Sequence, residues 1–210
     1  TKTHPPETVL AAYRAGVLHV GENRVQEGVS KITAVRSVIS DPRLTWHMVG
    51  HVQSRKARDV AEHFDYVHSV DRLKIARRLS RFSRSAGKKL PVLLECNFFV
   101  EECEYGFDLH GWEQEDEQRK AFFAIVEDIL ALPGISVRGL MTMAPLVADP
   151  ETVRPVFASL RALLDALRER FPAGEWRHLS MGMTDDFEVA VEEGATMVRI
   201  GRAIFGARLD

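Results

Sequence analysis

At 210 residues and 45% hydrophobic, the chain can bury a sizeable core, and one compact domain spanning 1–210 is expected. A formal net charge of -2 argues against a dedicated nucleic-acid binder or a strongly basic membrane-surface protein, and no apolar run approaches the ~18 to 20 residues that cross a bilayer. Two cysteines, Cys96 and Cys103, are too few for a disulfide framework and lack paired metal-ligand spacing, and the polar, proline-bearing start is no signal peptide; a reducing cytoplasm is the expected setting.

In chain order, "PPETVLAAYRAG" reads as a helix with Pro5 or Pro6 in its first turn. Short, nearly continuous apolar runs then recur at 17–23, 45–50, 66–70, 91–97, 137–143, 176–182 and 196–201, as expected of parallel strands covered on both faces. Helical patterns fall between them. Asp71 can cap a helix carrying Ile75, Leu79 and Phe82. Phe122, Ile125, Ile129 and Leu132 form one apolar stripe, and Val153, Phe157, Leu160, Leu164, Leu167 and Phe171 form another. Thr184, with Asp185 and Asp186, signals a further helix start, and Gly194 its carboxyl end. Repeated βα units of this kind predict an α/β barrel or an open doubly wound sheet. A barrel of eight strands would need one more strand ending just before or at Lys2, so the first βα unit reads as truncated.

Polar residues gather at the carboxyl ends of the predicted strands: Asn23, Gly50 and His51, Asn97, Ser180, and Gly201 with Arg202. That edge is where ligands bind in parallel α/β folds. "RIGRAIFG" leaves a strand through Gly201 and enters a helix at once, which suits a phosphate, and Ser180 and Arg202 add a hydroxyl and a cation. His47 and His51 bracket a strand end rather than sharing a helical face, so zinc ligation is not expected. The basic stretch from Arg72 to Lys89 reads as a solvated helix face, with nucleic-acid contact as the sharper alternative. Cys96 reads as core.

Together "KTHPP", "VGENRVQE", "WHMVGHVQSRKAR", "VRGLMTMAP" and "HLSMGMTDDFEVAVEEGATMVRIGRAIFG" resemble the pyridoxal-phosphate homeostasis protein family, relatives of the alanine racemase amino-terminal barrel. The resemblance implies a TIM-type (β/α)8 barrel of the fold-type III class for pyridoxal 5'-phosphate (PLP), with Lys2 as the amine of the internal aldimine. It also implies that Ser180, Gly201 and Arg202 hold the cofactor phosphate, that Arg199 faces the pyridine nitrogen, and that Asn23 and His51 line the ring. Three positions depart from the family pattern: Thr1 and Thr184 stand where serine is usual, and Glu104 where a lysine is common.

The function implied is intracellular PLP homeostasis by a monomer that passes PLP to apo-enzymes, with no nucleic acid or membrane involved. An alanine-type racemase is the alternative. It would need an acid/base group on each face of the substrate, and of Tyr13, Tyr66 and Tyr105 only the last lies on a strand-end loop.

Overall fold

The computed structural model describes residues 1–99 and 105–206, so Cys103 and Glu104 lie outside the described residues. The elements alternate as expected: α1 (Pro6–Arg14), β1 (His19–Glu22), α2 (Val25–Arg36), β2 (Thr45–Met48), α3 (Ala57–His63), β3 (Tyr66–Val70), α4 (Leu73–Ser85) and β4 (Leu90–Asn97). Next come β5 (Phe107–Asp108), α5 (Asp116–Leu130), β6 (Ile135–Met141), α6 (Arg154–Arg170), β7 (His178–Met183), α7 (Phe187–Glu192), β8 (Met197–Arg199) and α8 (Arg202–Phe205).

All strand pairs are parallel, in the order β1-β2-β3-β4-β6-β7-β8, with β5 on the carboxyl end of β4. This is the nearly closed barrel predicted. Among the described residues β8 and β1 share no ladder, and the segment Thr1–His4 sits at that opening: Thr1 N donates to Gly21 O at 2.6 Å, and the His4 ring packs on Phe205 of α8.

The helical stripes do what their spacing requires. Phe157, Leu160, Leu164 and Leu167 are fully buried between α6 and the sheet, with Phe171 partly buried, and Phe122 and Ile129 serve α5 in the same way. Cys96 lies in the same core, its thiol pushed well up by burial. A smaller apolar layer, Tyr66, Leu93 and Met141 with Met197 against it, plugs the barrel interior.

Two helix starts differ from expectation. Arg72, not Asp71, is the N-cap of α4; the Asp71 carboxylate turns instead to Arg72 NH1, 2.6 Å from both oxygens, because a buried carboxylate gains more from a guanidinium than from one amide. α7 begins at Phe187, and Thr184 lies in the preceding turn, which Asp186 closes by accepting from Met183 N at 2.5 Å. Gly194 performs as predicted: at φ +95° it follows α7 while its N–H bonds Val191 O and that of Ala195 bonds Ala190 O, the paired closure of a Schellman motif.

Candidate functional site

Lys2 stands in a tight turn held from several sides. His4 N donates to Thr1 O at 3.1 Å, Lys31 Nζ to the same oxygen at 2.7 Å, and Thr3 N to Glu27 Oε1 at 2.6 Å. Thr3 takes φ +68°, a strained conformation for a β-branched residue, so the turn is imposed by its surroundings rather than by local preference. Behind it, Lys31 pairs with Glu22 at 2.8 Å and Glu27 at 3.2 Å, and Glu22 also accepts from the Thr1 hydroxyl. Lys2 Nζ has no hydrogen-bond or ion-pair partner among the described residues.

The ends of β1 and β2 converge beside this turn. A Cβ on Gly50 would come within 2.2 Å of Asn23 O, so only glycine lets the two loops close up. Asn23 is exposed there. The loop after β2 is anchored through its carbonyls, Gly50 O by Ser69 Oγ at 2.7 Å and Val52 O by Arg72 NH2 at 3.2 Å. His51 Nδ1 approaches Asp71 Oδ2 to 3.0 Å without the alignment of a hydrogen bond, and its ring stacks on Tyr105 with centroids 3.8 Å apart.

Arg199 closes the opposite side. It donates to Ser180 Oγ and Thr142 O, each at 2.8 Å, and burial brings its pKa down only to about 10, so it stays cationic at neutral pH. Both partners are neutral oxygens. Glu95 on β4 is buried, with Oε2 unpartnered; burial first, then Asp71, pushes its pKa up to about 7.

The loops after β7 and β8 meet at one point. Arg202 pairs with Asp185, tying the loop after β8 to that after β7, and a Cβ on Gly201 would meet nothing within 4 Å, which leaves room for a ligand to approach its backbone. Ser180, however, is not a loop residue. It lies within β7, fully buried, with its hydroxyl engaged by Arg199 and His68. α8 is a single turn, so the helix dipole expected there is small.

The family described as the alanine racemase N-terminal domain matches residues 2–209. The pyridoxal phosphate homeostasis protein of Vibrio alginolyticus is 45% identical over 208 residues, 99% of this chain and 84% of that protein. The protein of the same name in Escherichia coli K12 is 40% identical over 211 residues, 99% of this chain and 83% of that one. The chain belongs to the pyridoxal phosphate homeostasis protein family. PipY of Synechococcus elongatus PCC7942, solved with PLP bound, aligns at a TM-score of 0.85 and 36% identity, over 98% of this chain and 89% of PipY. An alanine racemase of Clostridium difficile 630 aligns at TM-score 0.70 but 16% identity, over 97% of this chain and 51% of the racemase, a likeness of fold alone.

In this member of the pyridoxal phosphate homeostasis family, the structure gathers groups to which motif reading gave no role: Glu22, His47, His68, Glu95 and Lys31. Four of them are buried polar residues on the barrel strands: Glu22 on β1, His47 on β2, His68 on β3 and Glu95 on β4. In a barrel strand, alternate positions face the interior. A polar residue inside an apolar run was the available signal.

Proposed function

We propose that this chain binds PLP at the carboxyl edge of its barrel and acts in PLP homeostasis, holding the reactive aldehyde and passing it to PLP-dependent apo-enzymes. The observation that carries this reading is the pair of unspent groups at the barrel opening. Lys2 Nζ lacks a partner among the described residues, and the cation of Arg199 has only neutral acceptors. An anionic cofactor with an aldehyde and a ring lone pair fits that donor set.

When bound, PLP supplies an aldehyde that condenses with amines and a ring that withdraws electrons. Lys2 offers the amine, and the turn closed by Lys31 and Glu27 limits where that amine can point. Arg199 would face the ring nitrogen. A guanidinium that keeps its proton can donate a hydrogen bond but cannot leave the nitrogen protonated, so electron withdrawal is weak. Gly201 and Arg202 would hold the phosphate, with Ser180 one step removed as the support of Arg199. Asn23 and His51 would line the ring.

Weak electron withdrawal favours carriage over racemisation. So does the placement of the tyrosines: Tyr13 donates to Asp41 on the barrel exterior at 2.7 Å, Tyr66 lies in the interior, and Tyr105 stacks on His51. The basic helix α4 spends two cations structurally, Arg77 on Asp128 and Arg78 on Ser54 O, which favours a solvated face over a nucleic-acid surface. No described helix is long and apolar enough to cross a membrane. We take the chain as one domain working as a cytoplasmic monomer.

The test is a visible spectrum of the protein with PLP, repeated on Lys2→Ala, followed by borohydride reduction and peptide mapping. A yellow band lost in Lys2→Ala, with reduced PLP on Lys2, is the expected result. A band that survives the substitution would overturn Lys2 as anchor. Turnover of D- or L-alanine by the parent would overturn carriage as the sole role.

A further inference from the structure

Beneath Arg199, side chains from five strands hydrogen-bond in single file. Arg199 NH1 donates to Ser180 Oγ at 2.8 Å, and the same oxygen lies 2.9 Å from His68 Nδ1. His68 Nε2 is 2.8 Å from His47 Nδ1, and His47 Nε2 is 3.0 Å from His19 Nδ1. The file starts under the barrel opening, crosses the interior, and ends at His19, the exposed first residue of β1. Ser180, His68 and His47 are all buried.

The proton count allows one arrangement that satisfies every member. A guanidinium only donates, so Arg199 fills one lone pair of Ser180 Oγ. If His68 carried its proton on Nδ1, that proton would fill the second lone pair. The serine's own proton would then have no acceptor among the described residues, an unsatisfied buried donor. Ser180 must therefore donate to His68 Nδ1. A neutral His68 then carries its proton on Nε2 and donates to His47, which in turn donates to His19, whose Nε2–H faces solvent. Burial supports this neutral state, pushing His47 down to about 4 and His68 well below its usual range. Tyr66 and His178 also face the interior, but neither donates to the file: Tyr66 OH is unpartnered, and His178 Nδ1 turns to Thr196 Oγ1 at 3.3 Å.

We propose that His68 is a positioning residue for Arg199: by accepting the Ser180 proton it turns the serine's lone pairs toward the guanidinium, while His47 and His19 fix the tautomer that lets it do so. This rests on the reading above that Arg199 faces the PLP ring. It adds a second layer running from the opposite end of the barrel to the cofactor site.

Long-range 1H–15N correlation on 15N-histidine protein without PLP, at neutral pH, tests the file directly. His19, His47 and His68 should all be neutral Nε2–H tautomers. An Nδ1–H tautomer or a charged ring at His68 would overturn the proposal, whatever PLP does. PLP titration of two variants then reads the consequence. In His68→Asn the side-chain oxygen stands near the place of Nδ1 and can still accept from Ser180; in His68→Phe nothing can. His68→Phe should weaken PLP binding about fivefold, the worth of one neutral buried hydrogen bond, and shift the visible band. His68→Asn should stay within about twofold of the parent. Equal losses in the two variants, or none in either, would sink the positioning role. If the parent itself fails to bind PLP, the functional reading falls while the tautomer result still decides the file.

Discussion

Glu95→Gln should raise stability most at neutral pH and progressively less toward acid. Glu95 is 4% exposed, one of its oxygens is unpartnered, and its pKa is pushed up to about 7 from an ordinary 4.5. A carboxyl whose pKa is raised by folding favours the native state fully below its unfolded pKa, and that contribution is lost as pH rises through the folded value. From 4.5 and 7, ionising Glu95 costs the fold about 3 kcal/mol at neutral pH but only about 1 kcal/mol near pH 5. Glutamine cannot ionise, so the advantage of Glu95→Gln should shrink by about 2 kcal/mol across that window. Any fixed cost of burying the amide shifts both ends equally. His47 works in the opposite sense. Its pKa is lowered to about 4, so the unfolded chain takes up the proton first and stability falls as pH drops from 6.5, by about 2 kcal/mol near pH 5. Burial lowers His68 in the same sense as His47, so Glu95 offsets only part of the acid sensitivity of the parent, and Glu95→Gln should steepen it. Urea unfolding curves at several pH values between 5 and 8 would measure it. A stability difference between parent and variant that does not change with pH would refute the assignment of a strained interior carboxylate.

Three further outcomes can be checked in the same unfolding assay. Lys31→Met leaves Glu22 and Glu27 without their shared cation in a buried setting and should cost about 3 to 5 kcal/mol. Phe157→Ala empties a fully buried position between α6 and the sheet, and a loss of about 3 to 5 kcal/mol is expected. Gly50→Ala drives a methyl against Asn23 O; about 1 to 3 kcal/mol should be lost, and PLP affinity should fall with it because Asn23 is displaced.

The strands and the helix stripes were legible because burial writes itself into local spacing. Phe157, Leu160, Leu164 and Leu167 could be assigned to one face from their intervals alone. Boundaries were less legible where several residues compete for one role. Thr184, Asp185 and Asp186 are all capable caps, and only the third engages a backbone N–H of the turn, that of Met183. The two-residue β5 carries no period at all; it is held by its pairing with Cys96 and Asn97. Lys2, Arg199, Gly201 and Arg202 are assigned to the site through motifs. Ser180 was read as part of the strand-end phosphate site, but its position within β7 commits its hydroxyl to the interior. The histidine file was invisible in the sequence, since His68 and Ser180 are separated by 112 residues and meet only across the barrel interior.

The ion pair beneath the Lys2 turn constrains how this sequence can drift. Glu22 and Lys31 are both buried, at 0% and 4% exposure, and each is the other's charge compensation. Losing Lys31 alone strands the buried Glu22 carboxylate, and losing Glu22 alone leaves buried Lys31 with only the partly exposed Glu27, whereas exchanging both for apolar residues of like volume removes the two buried charges together. Any lineage that abandons the pair must therefore pass through a weakened intermediate or change both codons together. The two positions should drift as a unit, and the turn that presents Lys2 inherits their conservatism.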